Sequence, residues 1–290
     1  MWRLWRSTTP YTETMVRLLL IAAAVSAFAA SISDDYVQQV EKWRQAREDR
    51  LKADGGWLSV AGLFWLSEGA NKITLPPGSE SAPVGTFELH KGKVTYHIAG
   101  PVPPGASPEM EMKPDTSGEP TELHVNDLTM FVIQRADRFA IRLKDKNSPY
   151  RRDFTGLNWY PVKPEYRVEA RFVGEAKKIP ILNVVGQTDQ EDSPGHVEFE
   201  LQGKPLRMVA LTEGDTLFFV FRDETSGHTT YGASRMMNTA MPKDGRVALD
   251  FNEAYNPPCA FTPYATCPLP PHENRLGVAI EAGEMNYGKH

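Results

Sequence analysis

Cysteine is scarce in this chain of 290 residues, which has two, Cys259 and Cys267. They form no C-x-x-C pair and no H-E-x-x-H run occurs, so the spacings that mark zinc sites most strongly are missing. Serine never stands in a G-x-S-x-G elbow. No Gly-rich phosphate loop or dinucleotide fingerprint follows a strand-like run, which leaves serine-hydrolase, nucleotidase and Rossmann chemistry without support. Lys and Arg form no cluster beyond the N-terminal region and the net charge is −5. Phosphate backbones are held by concentrated positive charge, so no nucleic-acid partner is expected. Long apolar runs are absent too, and only one stretch has a helical period.

What is present begins with a targeting pattern. Met15-Val16-Arg17 precedes LLLIAAAVSAFA, a short apolar run behind a positive charge, as in an export signal. Ala27 and Ala29 flank Phe28 as the small residues a signal peptidase reads, so cleavage after Ala29 is expected, with Met1 and Met15 both candidate starts. The run of about a dozen residues falls short of the ~20 a stable helical span requires. No membrane span is therefore expected after cleavage; an uncleaved anchor is the alternative. The destination implied is the periplasm or the exterior, where cysteines oxidise. A Cys259 to Cys267 disulfide follows, its loop closure contributing about 2.5 kcal/mol in the chain-entropy account.

After a signal peptide over 1–29, residues 30–56 hold the helix. Asp34 to Ala53 carries Tyr36, Val40, Trp43, Arg47 and Leu51 as one stripe and stops at Gly55-Gly56. The texture then changes to short strand-like runs between Gly and Pro, which predicts a first β-rich half over 57–145 and a second over 146–285. Trp57 to Leu66, Gly85 to Leu89, Lys93 to Ile98, Leu128 to Arg135 and Phe139 to Leu143 are the first set, with Pro101 to Glu122 as a loop. Tyr166 to Phe172, Ile179 to Val185, His196 to Leu201, Leu206 to Leu211 and Thr216 to Arg222 are the second. Between them Arg151, Arg152 and Asp153 stand beside Phe154, Trp159 and Tyr160, a mixture suited to an anion or a planar ligand, or to a plain connector. The expected fold is mainly β, with antiparallel sandwich-like or barrel-like halves packed as one unit and a single N-terminal α-helix.

The last forty-odd residues organise the rest. GRVALDFNEAYNPPCAFTPYATCPLPPHENRLGVAIEAGE puts both cysteines between two strand-like runs, in a stretch too rich in proline for a central strand or a helix. An ordered loop of this length is often functional. NPPCAFTPYATCPLPPHENRL followed by AGE, with FRDETSGHTTYGASR and GWLSVAGLFWLSEG, resembles the bacterial family catalogued as domain of unknown function 1684. The likeness runs from about residue 36 to 285, and it implies no established activity.

Strand alternation nominates the site. Asp223 closes one run, and Thr229, Tyr231, Ala233 and Arg235 share a face of the next, so Asp223, Tyr231 and Arg235 are expected to meet. Leu276, Val278, Ile280, Ala282 and Glu284 form an inward face that puts Glu284 at the rim of the interior and Glu281 in water. Asp223, Tyr231 and Glu284 are the candidate catalytic groups. Arg235, His228, Asn256 and Asn274 are the candidate ligand contacts, under the roof of the Asn256 to Asn274 loop. An Arg beside carboxylates suits an anionic or carbonyl-bearing ligand, with a carboxylate as acid or base; a buried structural ion pair is the plain alternative. Cys259, Cys267 and His272, with His228 or Asp250, could instead hold zinc. The leading expectation is an exported small-molecule binding protein or an enzyme that uses no cofactor. A non-catalytic envelope module is the alternative, and a zinc-dependent enzyme the third.

Overall fold

The computed structural model describes residues 34–73, 75, 85–99 and 107–288. The export signal, its cleavage point and the candidate starts at Met1 and Met15 lie outside these residues, as does part of the loop expected over Pro101 to Glu122. The chain divides into two compact units, residues 1–45 and 46–290. The described part of the first is helical, and this helix, α1, runs over 34–52 before Gly55 and Gly56. Among the described residues no helix is long and apolar enough to cross a membrane.

The early strands are β1 (Val60–Trp65), β2 (Gly69–Asn71), β3 (Thr86–His90), β4 (Lys93–His97), β5 (Glu109–Glu111), β6 (Glu122–Val125), β7 (Leu128–Arg135) and β8 (Arg138–Asp145). They pair antiparallel into two sheets, ordered β1-β8-β7-β6 and β2-β3-β4-β5. Alternation explains why the two sheets stack. Phe87, Leu89, Val94 and Tyr96 from one face Met130, Val132, Ile141 and Leu143 from the other in one core, each side chain contributing about 2 kcal/mol by leaving water.

A connector with one helical turn, α2 (Pro149–Arg152), leads to β9 (Arg167–Leu182), β10 (Thr188–Leu201), β11 (Lys204–Glu213), β12 (Thr216–Phe221), β13 (Arg235–Ala240) and β14 (Arg246–Asp250). These form one antiparallel sheet ordered β13-β12-β11-β10-β9-β14, curled until it nearly closes. Thr239 Oγ1 donates to the Ala248 carbonyl at 2.7 Å, joining its two edge strands. The inner face carries Val197, Phe199 and Leu201 from β10, Leu217, Phe219 and Phe221 from β12, and Val247 and Leu249 from β14.

Three expected elements are different. Tyr166 to Phe172 and Ile179 to Val185 belong to the single strand β9, and β10 begins at Thr188 rather than His196. The intervening stretch is a two-stranded ribbon, polar on both faces, so no alternation announced it. Lys178 and Asp192 pair across it at 2.8 Å, and a bulge at Gly195 bends it. Gly195 has φ 151, and a Cβ there would lie 2.1 Å from the Val173 carbonyl oxygen. Thr229 to Ser234 is irregular, and the strand starts at Arg235. Residues 276–284 form no strand: bends fall at 277, 278 and 283, and backbone bonds tie the segment to Arg222, Glu224 and Ala254 only at isolated points. Leu276, Val278, Ile280 and Ala282 do point inward, and they join the core inside the curled sheet as a plug.

Candidate functional site

A plug without a ladder leaves backbone groups in need of partners. The residues expected to bind a ligand supply them. Arg235, with no exposed surface, donates through Nη2 to Asp223 Oδ2 at 2.5 Å and to the Ile280 carbonyl at 3.0 Å, and through Nη1 to the Ala282 carbonyl. Asp223 Oδ1 accepts from Thr225 N at 2.8 Å, Thr225 Oγ1 at 2.6 Å and Ile280 N at 3.3 Å. Asn274 works where β11 and β12 splay apart. Its Nδ2 donates to the Val209 and Val220 carbonyls, each at 2.9 Å, and its Oδ1 accepts from Val209 N at 2.7 Å. The side-chain amide thus stands in for the missing ladder.

Glu284 lies deeper than its expected place at the rim, with no exposed surface. Its Oε1 accepts from Asn256 Nδ2 at 2.8 Å and its Oε2 from Asn256 N at 3.1 Å, while Arg47 Nε stands 3.6 Å away. Arg47 also donates through Nη2 to the Asn256 carbonyl at 2.8 Å and lies over the Tyr255 ring. Burial pushes the Glu284 carboxyl up to about 7, against the opposing pull of Arg47. Glu281 is exposed.

Tyr231 does not reach Asp223 and Arg235. Its hydroxyl donates to the Cys259 carbonyl at 3.1 Å, and burial first, then Cys259, pushes the phenol up. Cys259 and Cys267 carry free thiols. Cys259 N donates to Cys267 Sγ at 3.2 Å. The hydrogen bond between the two thiols lowers the Cys259 thiol and, together with burial, raises that of Cys267. His228 and His272 are both exposed. Among the described residues no three His, Cys, Asp or Glu side chains gather as a metal site needs, so Cys259, Cys267 and His272 do not converge. In the connector Arg151 is engaged with the Lys52 and Lys146 carbonyls and with Asp54.

An open cleft of about 510 Å³ lies elsewhere. Gln134 and Arg135 at the end of β7 form one wall, and Ile181, Asn183, Asp189 and Glu191 of the ribbon face them. Glu213 and Phe218 of the β11–β12 hairpin and Thr266 and Pro268 of the Pro-rich loop complete it. The loop therefore does border a cavity, although a different one from that expected. Its position has clear causes. Thr262 Oγ1 ties it to the Val60 carbonyl at 3.0 Å, and Val184 N and Leu269 N pair it with the ribbon at 2.9 and 2.7 Å. Asp189 Oδ1 accepts from Ala136 N at 2.7 Å, latching the ribbon to the β7–β8 turn.

Arg135 is the cation of this lining. Nη1 donates to Asp115 Oδ2 at 2.8 Å, and Nε to Thr266 Oγ1 at 3.0 Å. Among the described residues no hydrogen bond uses Nη2, and 22% of the side chain is exposed. Across the cleft the Glu191 carboxyl is raised, by burial first and then by Asp189. Neither Arg135 nor Thr266 was nominated from the sequence. Arg135 closes a strand that the sequence places correctly, and Thr266 precedes Cys267 in a loop already singled out, but nothing local brings the two together.

The plug, the Pro-rich loop and the second half of the chain match the family described as Protein of unknown function (DUF1684) over residues 152–285. Residues 152–285 carry the domain of this family. The DUF1684 match contains Asp223, Arg235, Thr266 and Glu284, whereas Arg135 stands before it. A similar solved structure is the solution NMR structure of an uncharacterized protein of Haloarcula marismortui, 35% identical, covering 47% of this chain and 80% of that one with a TM-score of 0.40. That superposition is too loose to argue from. A search of curated proteins found no match.

Proposed function

We propose that this is an exported protein that binds a small polar ligand in the cleft between β7, the ribbon and the Pro-rich loop. The observation that carries the reading is Arg135. Its Nη2 donors are unengaged among the described residues at the wall of a cavity of about 510 Å³, a size suited to a small ligand. Arg235, Asp223 and Asn274 are consumed in closing the second sheet, and Glu284 and Asn256 hold each other, so the anionic or carbonyl-bearing ligand once assigned to Arg235 is assigned to Arg135. Binding is favoured over catalysis because, among the described lining residues, no hydrogen bond joins Thr116, Thr212 or Thr266 to Asp189, Glu191 or Glu213, the pairing that would activate a hydroxyl as nucleophile. Export rests on the Arg17 to Ala29 pattern. In an oxidising compartment Cys259 and Cys267, already in contact, would join as a disulfide.

A thermal-shift screen of the purified protein against organic acids, sugars, amines and metal salts tests the reading. A ligand at a hundredfold its Kd adds about 2.7 kcal/mol to the folded state, so a saturable rise in melting temperature is expected from at least one class. Silence across all of them would favour a non-catalytic envelope module with the Pro-rich loop as a clasp.

A further inference from the structure

Behind Arg135 stands a second arginine whose surroundings are unusual for a buried cation. Arg142, on β8, is 4% exposed, yet no carboxylate lies within ion-pair distance among the described residues. Its Nη2 donates to Thr266 Oγ1 at 3.3 Å. Its Nε has no partner among the described residues. Its guanidinium lies 5.1 Å from the centre of the Trp57 ring, which offsets part of the desolvation cost. Burial, and then the charge of Arg135, lowers it to about 10, against the opposing pull of Asp115 and Cys267. The Asp115 carboxylate bonded to Arg135 relieves part of this from a distance, but a buried cation with no carboxylate in contact remains costly, and a further negative charge beside it would relieve the rest.

The hydroxyl between them shows where that charge would sit. Thr266 Oγ1 accepts from Arg135 Nε and from Arg142 Nη2, so its lone pairs are occupied and its own proton must point elsewhere. Among the described residues it donates to no side chain or backbone oxygen, and Thr266 lines the cleft. Two guanidinium groups polarise that O–H, which makes it a stronger donor. The free Nη2 of Arg135 belongs to the same wall. Asp189, Glu191 and Glu213 line the other walls and repel any second negative charge.

We infer that the cleft holds the oxyanion of a ligand, a carboxylate or a phosphate, between Arg135 Nη2 and the Thr266 hydroxyl, with Arg142 as a positioning residue that polarises Thr266 from behind. The inference rests on the cleft being a binding site and names the chemical group bound there. The ligand has one anionic head, and its body is uncharged or carries an amine.

Acetate and inorganic phosphate are the probes, titrated against the purified protein by calorimetry at constant ionic strength, with sodium chloride as the control. Saturable binding of one of them is expected, and which one binds distinguishes a carboxylate from a phosphate head. Thr266→Val and Arg142→Met should each weaken that binding by roughly tenfold or more, the worth of a charge-assisted hydrogen bond. Thr266→Ser, which restores the hydroxyl, should return to within about threefold of the wild type. Arg142→Met should melt no lower than the wild type without anion, since it removes an unpaired buried cation, so lost binding cannot be blamed on misfolding. Equal binding by Thr266→Val and the wild type would overturn the inference. So would failure of both anions to bind while an uncharged solute still binds in the cleft, a result that leaves the cleft itself a binding site. Failure of every solute class would sink the cleft as well.

Discussion

Two arginines, each beside an aspartate, meet opposite fates in this protein. Arg235 is sealed inside the second sheet, and the hydrogen bonds of its Nη1 and Nη2 go to Asp223 and to two carbonyls of the plug. Arg135 stands at the wall of a cleft, with Asp115 and Thr266 holding part of the guanidinium and Nη2 facing no partner among the described residues. The same side chain thus completes a fold in one place and offers donors in the other. Burial separates the two roles. Arg235 Nε has no partner among the described residues, but with no exposed surface it is closed to a ligand, and what Nη1 and Nη2 gave to one would be taken from the backbone they support.

The sharpest way to break this contrast is to remove Arg235. Arg235→Ala leaves the buried Asp223 carboxylate and the Ile280 and Ala282 carbonyls without their cation, and a loss of about 3 to 5 kcal/mol is expected in denaturant melts. A loss under about 0.5 kcal/mol, the range of an ordinary surface change, would show that the pair is dispensable.

Glu284 gives the next effect, through pH. Its folded-state value, about 7, lies above the ordinary value of 4.5 for a free carboxyl. The folded state therefore holds the proton more tightly, and this contribution is fully present below about pH 4.5 and lost as pH rises through about 7. The span is on the order of 3 kcal/mol. Melting temperatures from pH 4 to 8 should fall for the wild type relative to Glu284→Gln, which cannot ionise. Parallel curves for the two proteins would remove Glu284 from the account.

Asn274→Ala should cost about 2 kcal/mol, since it strips the Val209 N–H and the Val209 and Val220 carbonyls of their partner. Amide exchange at Val209, near the break in the β11–β12 ladder, should quicken with it. Unchanged protection there would mean that water replaces the amide. Arg135→Gln should sit at the bottom of the stability scale, within about 1 kcal/mol of the wild type, because its partly exposed pair with Asp115 is of the weak surface kind.

The contrast also marks what could be read from residues alone. Strands with one apolar face, such as β7 and β12, were legible from alternation, and so was the pairing of Asp223 with Arg235. The inward set from Leu276 to Ala282 was legible too, although alternation says which face is buried and not whether a neighbouring strand supplies hydrogen bonds. The β9–β10 ribbon, polar on both faces, carried no such signal. Tyr231 was misplaced because a strand was assumed where Gly227 and Gly232 make an irregular turn. The cleft depends on residues over 130 positions apart, Arg135 and Thr266, brought together by tertiary packing that no local pattern encodes.

The central claim is that Arg135 serves a ligand and Arg235 serves the fold. Calorimetric titration of a ligand taken from the thermal-shift screen into the wild type and into Arg135→Gln tests it most directly, with the melting temperature of each recorded alongside. The account predicts a melting temperature close to that of the wild type and binding weakened by roughly tenfold or more in the variant. Undiminished binding by Arg135→Gln would contradict it and return the search for a site to the rest of the molecule.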